Sequence, residues 1–169
     1  REGVAVEIDN ETLHGSENRI WVSFTEMPTY LYEAFISIED ERFWTHNGVD
    51  WKRTVAAFAN MFVDLYSSNQ GGSTITQQLV KNLTGENQHR IDRKIKEILT
   101  AVYVEQHNSK PEILEAYLNV MPLDQNLNGV QAAAKAYFNK DVSELSLAEC
   151  ASLAAITQHP TKYGPFRSE

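Results

Sequence analysis

Four polar segments carry the residues that could do chemistry in this chain. The first runs from Glu39 to Asp50 (EDERFWTHNGVD) and opens with three consecutive carboxylates, Glu39, Asp40 and Glu41, at the end of an apolar periodic stretch. Three like charges at a helix C-terminus oppose the helix dipole by roughly a few tenths of a kcal/mol each. Such local disagreement is commoner at functional sites than elsewhere. The second segment, Gln70 to Asn82 (QGGSTITQQLVKN), sets two glycines before Ser73 and Thr74, with Gln78, Lys81 and Asn82 on the helix that follows. Glycines ahead of a hydroxyl-rich helix start can offer backbone N–H groups and hydroxyls to an anion such as phosphate. The spacing is not that of the P-loop, which needs Gly-Lys-Ser/Thr. In the third, Arg90 to Glu97 (RIDRKIKE), Arg93 and Glu97 lie one turn apart, as do Arg90 and Lys94, so cations and a carboxylate share a face. The fourth, Glu112 to Asn119 (EILEAYLN), is an amphipathic helix in which Glu115 and Asn119 are the polar candidates.

Each segment alone also has a structural reading: a solvated acidic helix end, a loop before a capped helix, a surface ion pair, an ordinary amphipathic helix. The surface pair would be worth about 0.3–0.5 kcal/mol, and Arg preceding Glu is its weaker orientation. Taken together the segments describe a cleft with two separated carboxylates, Glu39 and Glu97, beside cations and hydroxyls. One carboxylate suits proton abstraction, and the cations suit a departing phosphate.

The elements that must position these residues are helical almost throughout. Residues 4–8 (VAVEI) and 20–24 (IWVSF) are β-rich around a turn-forming stretch, which predicts a short N-terminal β arm over residues 1–27. Beyond it, Leu31, Ala34, Phe35 and Ile38 predict a helix from Pro28 to near Glu39. Asp50 can cap a second helix with Val55, Phe58, Ala59 and Phe62 on one stripe. A third starts at Ser73 or Thr74 and reaches Leu83. A longer one, about Arg90 to Glu105, is expected to bury Ile91, Ile95, Ile98 and Val102. Ser109-x-x-Glu112 is a capping box with Pro111 in the first turn, leading into Leu114, Tyr117, Leu118 and Met121. Ser146-x-x-Glu149 repeats that signature before an Ala/Leu-rich helix stopped by Pro160. The fold class is mainly α.

The bulk properties narrow the function. A chain of 169 residues can bury a proper core, and 42% hydrophobic with 22% charged residues is ordinary for a globular domain. The formal charge of −8 supplies no global field for nucleic acid. Between Lys81 and Lys96, however, five basic residues (Lys81, Arg90, Arg93, Lys94, Lys96) face two acidic ones (Glu86, Asp92). A local cationic patch on an acidic protein suits an anionic substrate group. The single cysteine, Cys150, forms no internal disulfide and reads as a buried structural thiol. No apolar run approaches the ~20 residues that span a bilayer. The chain starts at Arg1 and stops at Glu169 with cut-looking ends, so a membrane anchor or a further domain is expected outside it.

From about Pro28 to Phe166 the chain resembles glycosyltransferase family 51, the peptidoglycan glycosyltransferases. EDERFWTHNGVD looks like the family's first motif, GGSTITQQLVKN its second, RKIKE its third and EILEAYLN its fourth. GVQAAAKAYFNKDVSELSLAECASLAAI resembles its closing region. The resemblance assigns residues 28–169 to the glycosyltransferase domain. It implies a lysozyme-like fold with a head lobe, a membrane-proximal jaw lobe and a cleft between them. It also implies polymerisation of lipid II into β-1,4-linked glycan with release of undecaprenyl pyrophosphate.

Carried onto this sequence, the family's motifs make Glu39 the general base and Glu97 the second catalytic carboxylate, near the pyrophosphate and with room for a divalent cation, Mg or Mn. No tightly bound cofactor is implied. Lys81 and Arg93 would neutralise the phosphates, and Asp40, Phe43, His46, Ser73, Thr74, Gln78 and Asn82 would line the donor side or shape the site. The implied partners are lipid II and the growing glycan chain, the outer face of the bacterial cytoplasmic membrane, a fused transpeptidase domain and an N-terminal transmembrane anchor. Phe62 and Tyr66 are candidates for the membrane-facing jaw surface, with a core role the stronger reading. The family commonly has an aromatic-glycine stretch where this chain reads VMPLDQNLN, which leaves the shape of that loop open. Two other readings stand beside this one. A lytic transglycosylase or lysozyme-like hydrolase would need a protonated glutamate and has no use for phosphate-directed cations. A silent domain that only grips a lipid pyrophosphate has no use for two carboxylates.

Overall fold

A computed structural model describes residues 20–56, 72–85, 91–124 and 127–158. The architecture is mainly α, as the periodicity predicts. Helix α1 spans Thr29–Glu39 and α2 covers residues 51–56. Helices α3 (Ile75–Thr84), α4 (Ile91–His107) and α5 (Lys110–Val120) follow. A two-stranded antiparallel hairpin, β1 (Pro122–Asp124) and β2 (Leu127–Asn128), leads into α6 (Val130–Phe138) and α7 (Leu147–Gln158). Both strands fall within the stretch VMPLDQNLN.

Packing follows the apolar stripes. Helix α1 lies chiefly on α7, and α3 packs on both α4 and α5. Leu31, Phe35, Ile75, Leu79, Ile113, Leu114, Tyr117, Leu118 and Leu153 meet in one buried cluster. Each large side chain buried there contributes about 1.5–3 kcal/mol of transfer free energy. The caps are those the sequence announces. Thr74 caps α3, its hydroxyl accepting from Gln77 N–H (3.2 Å) while Gln77 Oε1 accepts from Thr74 N–H (2.9 Å). The Ser109 N–H and hydroxyl both donate to Glu112, at 2.7 Å each, and hold its carboxyl below the usual range. Asp50 caps α2 by accepting from Arg53 N–H (3.1 Å).

Three expectations are corrected. Residues 20–23 form no strand, and Phe24–Glu26 is a turn of 3-10 helix. The β-branched run finds a side chain where a strand would find a backbone. Val22 N–H donates to Asn119 Oδ1 (2.9 Å) and Asn119 Nδ2 returns a bond to Val22 O (2.8 Å). Residues 4–8 of the expected arm lie outside the described residues. Second, the stripe expected on α4 is covered only in part: Ile95 is 53% exposed while Ile98 and Val102 are half-buried. The face turned inward carries Glu97, Ala101 and the Glu105 carboxylate, because those acids find cations and hydroxyls there. Third, Val55 stands 63% exposed on α2. Phe58, Ala59, Phe62 and Tyr66, expected on the same helix or on the jaw surface, lie outside the described residues, as does Pro160.

Candidate active site

The helix that ends at Glu39 breaks because Asp40 turns inward. Asp40 is fully buried and its Oδ2 accepts from Ile75 N–H (2.9 Å), the first turn of α3, and lies 2.8 Å from His46 Nε2. The acidic run thus divides its labour. Asp40 pins the start of α3 to the end of α1, leaving Glu39 half-buried at the junction. Arg53 supports the same corner, donating to the Glu39 carbonyl (2.9 Å).

Gly48 draws the second and third segments to this corner. Thr74 Oγ1 donates to Gly48 O (2.6 Å), and a Cβ on Gly48 would stand 2.6 Å from Ala101 O of α4. With φ at +85°, glycine alone fits both the conformation and the approach. The first motif is thereby wedged between the N-terminus of α3 and the middle of α4.

Between these elements lies a cavity of about 350 Å³. Glu39 lines it from α1, Glu97 from α4, and Gln78, Lys81 and Asn82 from α3, with Ser73 just ahead of that helix. Tyr117 of α5, Met121 and Pro122 at the hairpin, and Thr157 of α7 complete much of the wall. The two glutamates therefore share one cavity, with α3 running between them and connected to both. Gln78 Nε2 donates to Glu39 Oε2 (2.8 Å). At the other end Lys94 Nζ donates to Ser73 Oγ (2.8 Å) and to Glu97 Oε1.

The two carboxylates differ in their company. Glu97 is about 95% buried and both its oxygens are engaged, Oε1 by Lys94 and Oε2 by Arg93 (2.7 Å). A buried carboxylate so paired is a fixed anchor for cations, and removing either partner would strand charge. Glu39 carries no cation on its carboxylate among the described residues. Its Oε2 accepts from Gln78, while Oε1 lies 3.5 Å from Thr157 Oγ1, whose proton goes to Ala154 O at 2.7 Å. Oε1 thus keeps lone pairs to accept a proton. Lys81 lines the cavity from an exposed position and makes no ion pair among the described residues. Tyr117 is buried, and burial first, then Glu39 and Asp40, push its phenol far above the usual range.

Of the expected site residues, Glu39, Ser73, Gln78, Lys81, Asn82 and Glu97 come together on the cavity. Arg93 reaches it through Glu97. Asp40, Phe43, His46 and Thr74 stand behind it: Phe43 is fully buried with Lys110 Nζ 4.4 Å from its ring centroid, and the others hold loop and helix ends. Sequence reasoning passed over Tyr117, Thr157 and Arg53, and gave Lys94 no separate role. Tyr117 looked like core, although a buried phenol needs a hydrogen-bond partner and that need was the available signal. Thr157 gave none. The fourth segment's Glu115 and Asn119 turn away from the cavity's chemistry. Glu115 accepts from Phe24 N–H (2.7 Å) and Trp21 Nε1 (2.9 Å), so both residues dock the segment around residues 21–24. Both oxygens of Glu97 are paired with cations, and no group of three or more His, Cys, Asp or Glu side chains converges among the described residues.

Comparison with known proteins agrees with this geometry. The family model described as Transglycosylase matches residues 7–169. The chain is 44% identical over 164 residues to penicillin-binding protein 1A of Clostridium acetobutylicum, covering 92% of this chain and 20% of that protein. It is 44% identical over 154 residues to penicillin-binding protein 1A of Aquifex aeolicus, covering 90% and 21% respectively. Against penicillin-binding protein 1F of Bacillus subtilis it is 42% identical over 153 residues, covering 89% and 21%. The chain spans about a fifth of the length of these curated relatives. With four motifs folded onto one cavity and a match along nearly its whole length, this chain belongs to the transglycosylase family, the peptidoglycan glycosyltransferases of family 51.

Proposed function

We propose that this chain polymerises lipid II into β-1,4-linked glycan by an inverting displacement in which Glu39 is the general base. The observation that carries the reading is the asymmetry of the shared cavity: an uncompensated carboxylate at one end, and at the other a carboxylate that holds two cations.

In the step, the 4-hydroxyl of the acceptor's GlcNAc gives its proton to Glu39 Oε1 as its oxygen bonds to C1 of the donor MurNAc. The bond from C1 to the phosphate oxygen breaks with its electron pair, and undecaprenyl pyrophosphate departs. Attack from the face opposite the leaving group turns the α-linked donor into a β-linkage. Pyrophosphate leaves well without a proton, so its developing charge is met by Lys81, Lys94 and Arg93 rather than by an acid. Glu97 keeps Lys94 and Arg93 in place. Its buried ion pairs hold the cations in advance of the reaction, which is where preorganised electrostatics act. No step is routed through a divalent cation.

The proposed reaction suits a setting at the outer face of the cytoplasmic membrane, where the glycan chain grows while its lipid end stays in the bilayer, and the greater length of the relatives supports further domains in the whole protein. No helix among the described residues is long and apolar enough to cross a membrane. Incubation with lipid II tests the reading. Polymer and undecaprenyl pyrophosphate are expected; fragments released from finished peptidoglycan, with lipid II untouched, would assign a hydrolase or lytic enzyme instead.

A further inference from the structure

We propose that Tyr117 is a positioning residue for the reaction, acting through Gln78 to hold Glu39 ready to accept a proton; this deepens the reading above and rests on it. Three groups form a directed chain. Tyr117 OH lies 3.2 Å from Gln78 Oε1, and Gln78 Nε2 lies 2.8 Å from Glu39 Oε2. The direction is set from the carboxylate end. An ionised carboxylate only accepts, so Gln78 must turn its NH₂ toward Glu39 and its carbonyl toward Tyr117, and the phenol must donate.

Tyr117 is 1% exposed, and Gln78 Oε1 is the partner its hydroxyl has among the described residues. A buried donor left unsatisfied is expensive. The network therefore fixes the rotamer that leaves Oε1 facing the cavity. The other charged and titratable groups around Glu39 among the described residues are Asp40 and Arg53 beside it, and Lys81 and Glu97, which line the cavity from α3 and α4. Helix α7 offers it only Thr157. None of these donates to Oε2, so among the described residues the amide alone fixes that oxygen.

Tyr117→Phe keeps the ring in the core and removes only the donor. In a lipid II polymerisation assay, kcat should fall about three- to tenfold, the weight of one ordinary hydrogen bond, with KM for lipid II unchanged. A purely structural role would lower thermal stability while leaving kcat well below the new Tm at the parental value. In a Gln78→Met background, where the chain is already broken, Tyr117→Phe should add nothing to the loss of kcat. An unchanged kcat, or an equal further loss in the Gln78→Met background, would overturn the inference. The two readings separate cleanly: if Glu39→Gln still polymerises lipid II, the base assignment fails. If Glu39→Gln is inactive while Tyr117→Phe behaves like the parent, only the positioning role fails.

Discussion

Asn119 looked like a site residue in the fourth motif, and the structure makes it a structural one, so its removal separates the two roles. Its side chain makes three hydrogen bonds: Oδ1 from Val22 N–H, and Nδ2 to Val22 O and Glu115 O (2.8 Å). Both Asn119 (4% exposed) and Val22 (7%) are buried, so water replaces few of these bonds when the amide is gone. At about 0.5–1.5 kcal/mol per bond, Asn119→Ala should lower stability by about 2–4 kcal/mol. For a chain of this size that is a fall in Tm of roughly 5–15 °C. Urea unfolding followed by circular dichroism measures the first quantity and thermal scans the second. Well below the new Tm, kcat on lipid II should stay within a few-fold of the parent, because the lost bonds anchor residues 21–24 rather than the cavity. Limited proteolysis should cut near Trp21–Phe24 faster. A stability loss under about 1 kcal/mol, or a folded variant without activity, would refute the reasoning.

Further outcomes follow from the same geometry. Gly48→Ala forces a Cβ to within 2.6 Å of the Ala101 carbonyl at φ +85° and should cost at least about 3 kcal/mol, whereas Gly85→Ala, at φ +64° with open space around it, should cost about 1 kcal/mol; equal urea midpoints would contradict this. Cys150 is buried and its thiol is pushed up to about 11, first by burial and then by Glu149, so the native protein should resist a thiol reagent at neutral pH and react on unfolding. Rapid native labelling would count against that environment. Lys81→Ala should weaken a phosphoglycolipid such as moenomycin about tenfold in a fluorescence displacement assay, the loss expected for one charge-assisted contact. Unchanged affinity would remove Lys81 from the phosphate role.

The helices and their caps were legible because their signals are local. The capping boxes at Ser109 and Ser146 depend only on residues a few positions away. The buried face of α4 was not. Its isoleucines recur with helical spacing, and periodicity identifies a helix without saying which stripe is covered. Here the charged stripe wins, because Glu97 meets Lys94 and Arg93 and Glu105 meets Thr76 and Lys110 once the chain has folded. The strand expected at residues 20–24 is missing for a related reason, since Val22 pairs with a side chain on α5 far along the sequence. In the site, the two glutamates and the α3 residues stood out by type and spacing. Tyr117 and Thr157 did not, because only packing brings them to Glu39.

In the proposed reaction a proton acceptor at position 39 and a cation-bearing carboxylate at position 97 act across the same space. Substituting Glu39→Gln removes the acceptor while keeping size and hydrogen-bonding shape, and Gln78 can still be met by the new amide's carbonyl. Single-turnover polymerisation of labelled lipid II, run beside moenomycin binding to the same sample, measures chemistry and donor-site integrity together. The expected result is turnover lowered by at least about a hundredfold, as for loss of a general base, with moenomycin affinity within a few-fold of the parent. Polymerisation at near-parental rate by that variant would show that the proton leaves by another route.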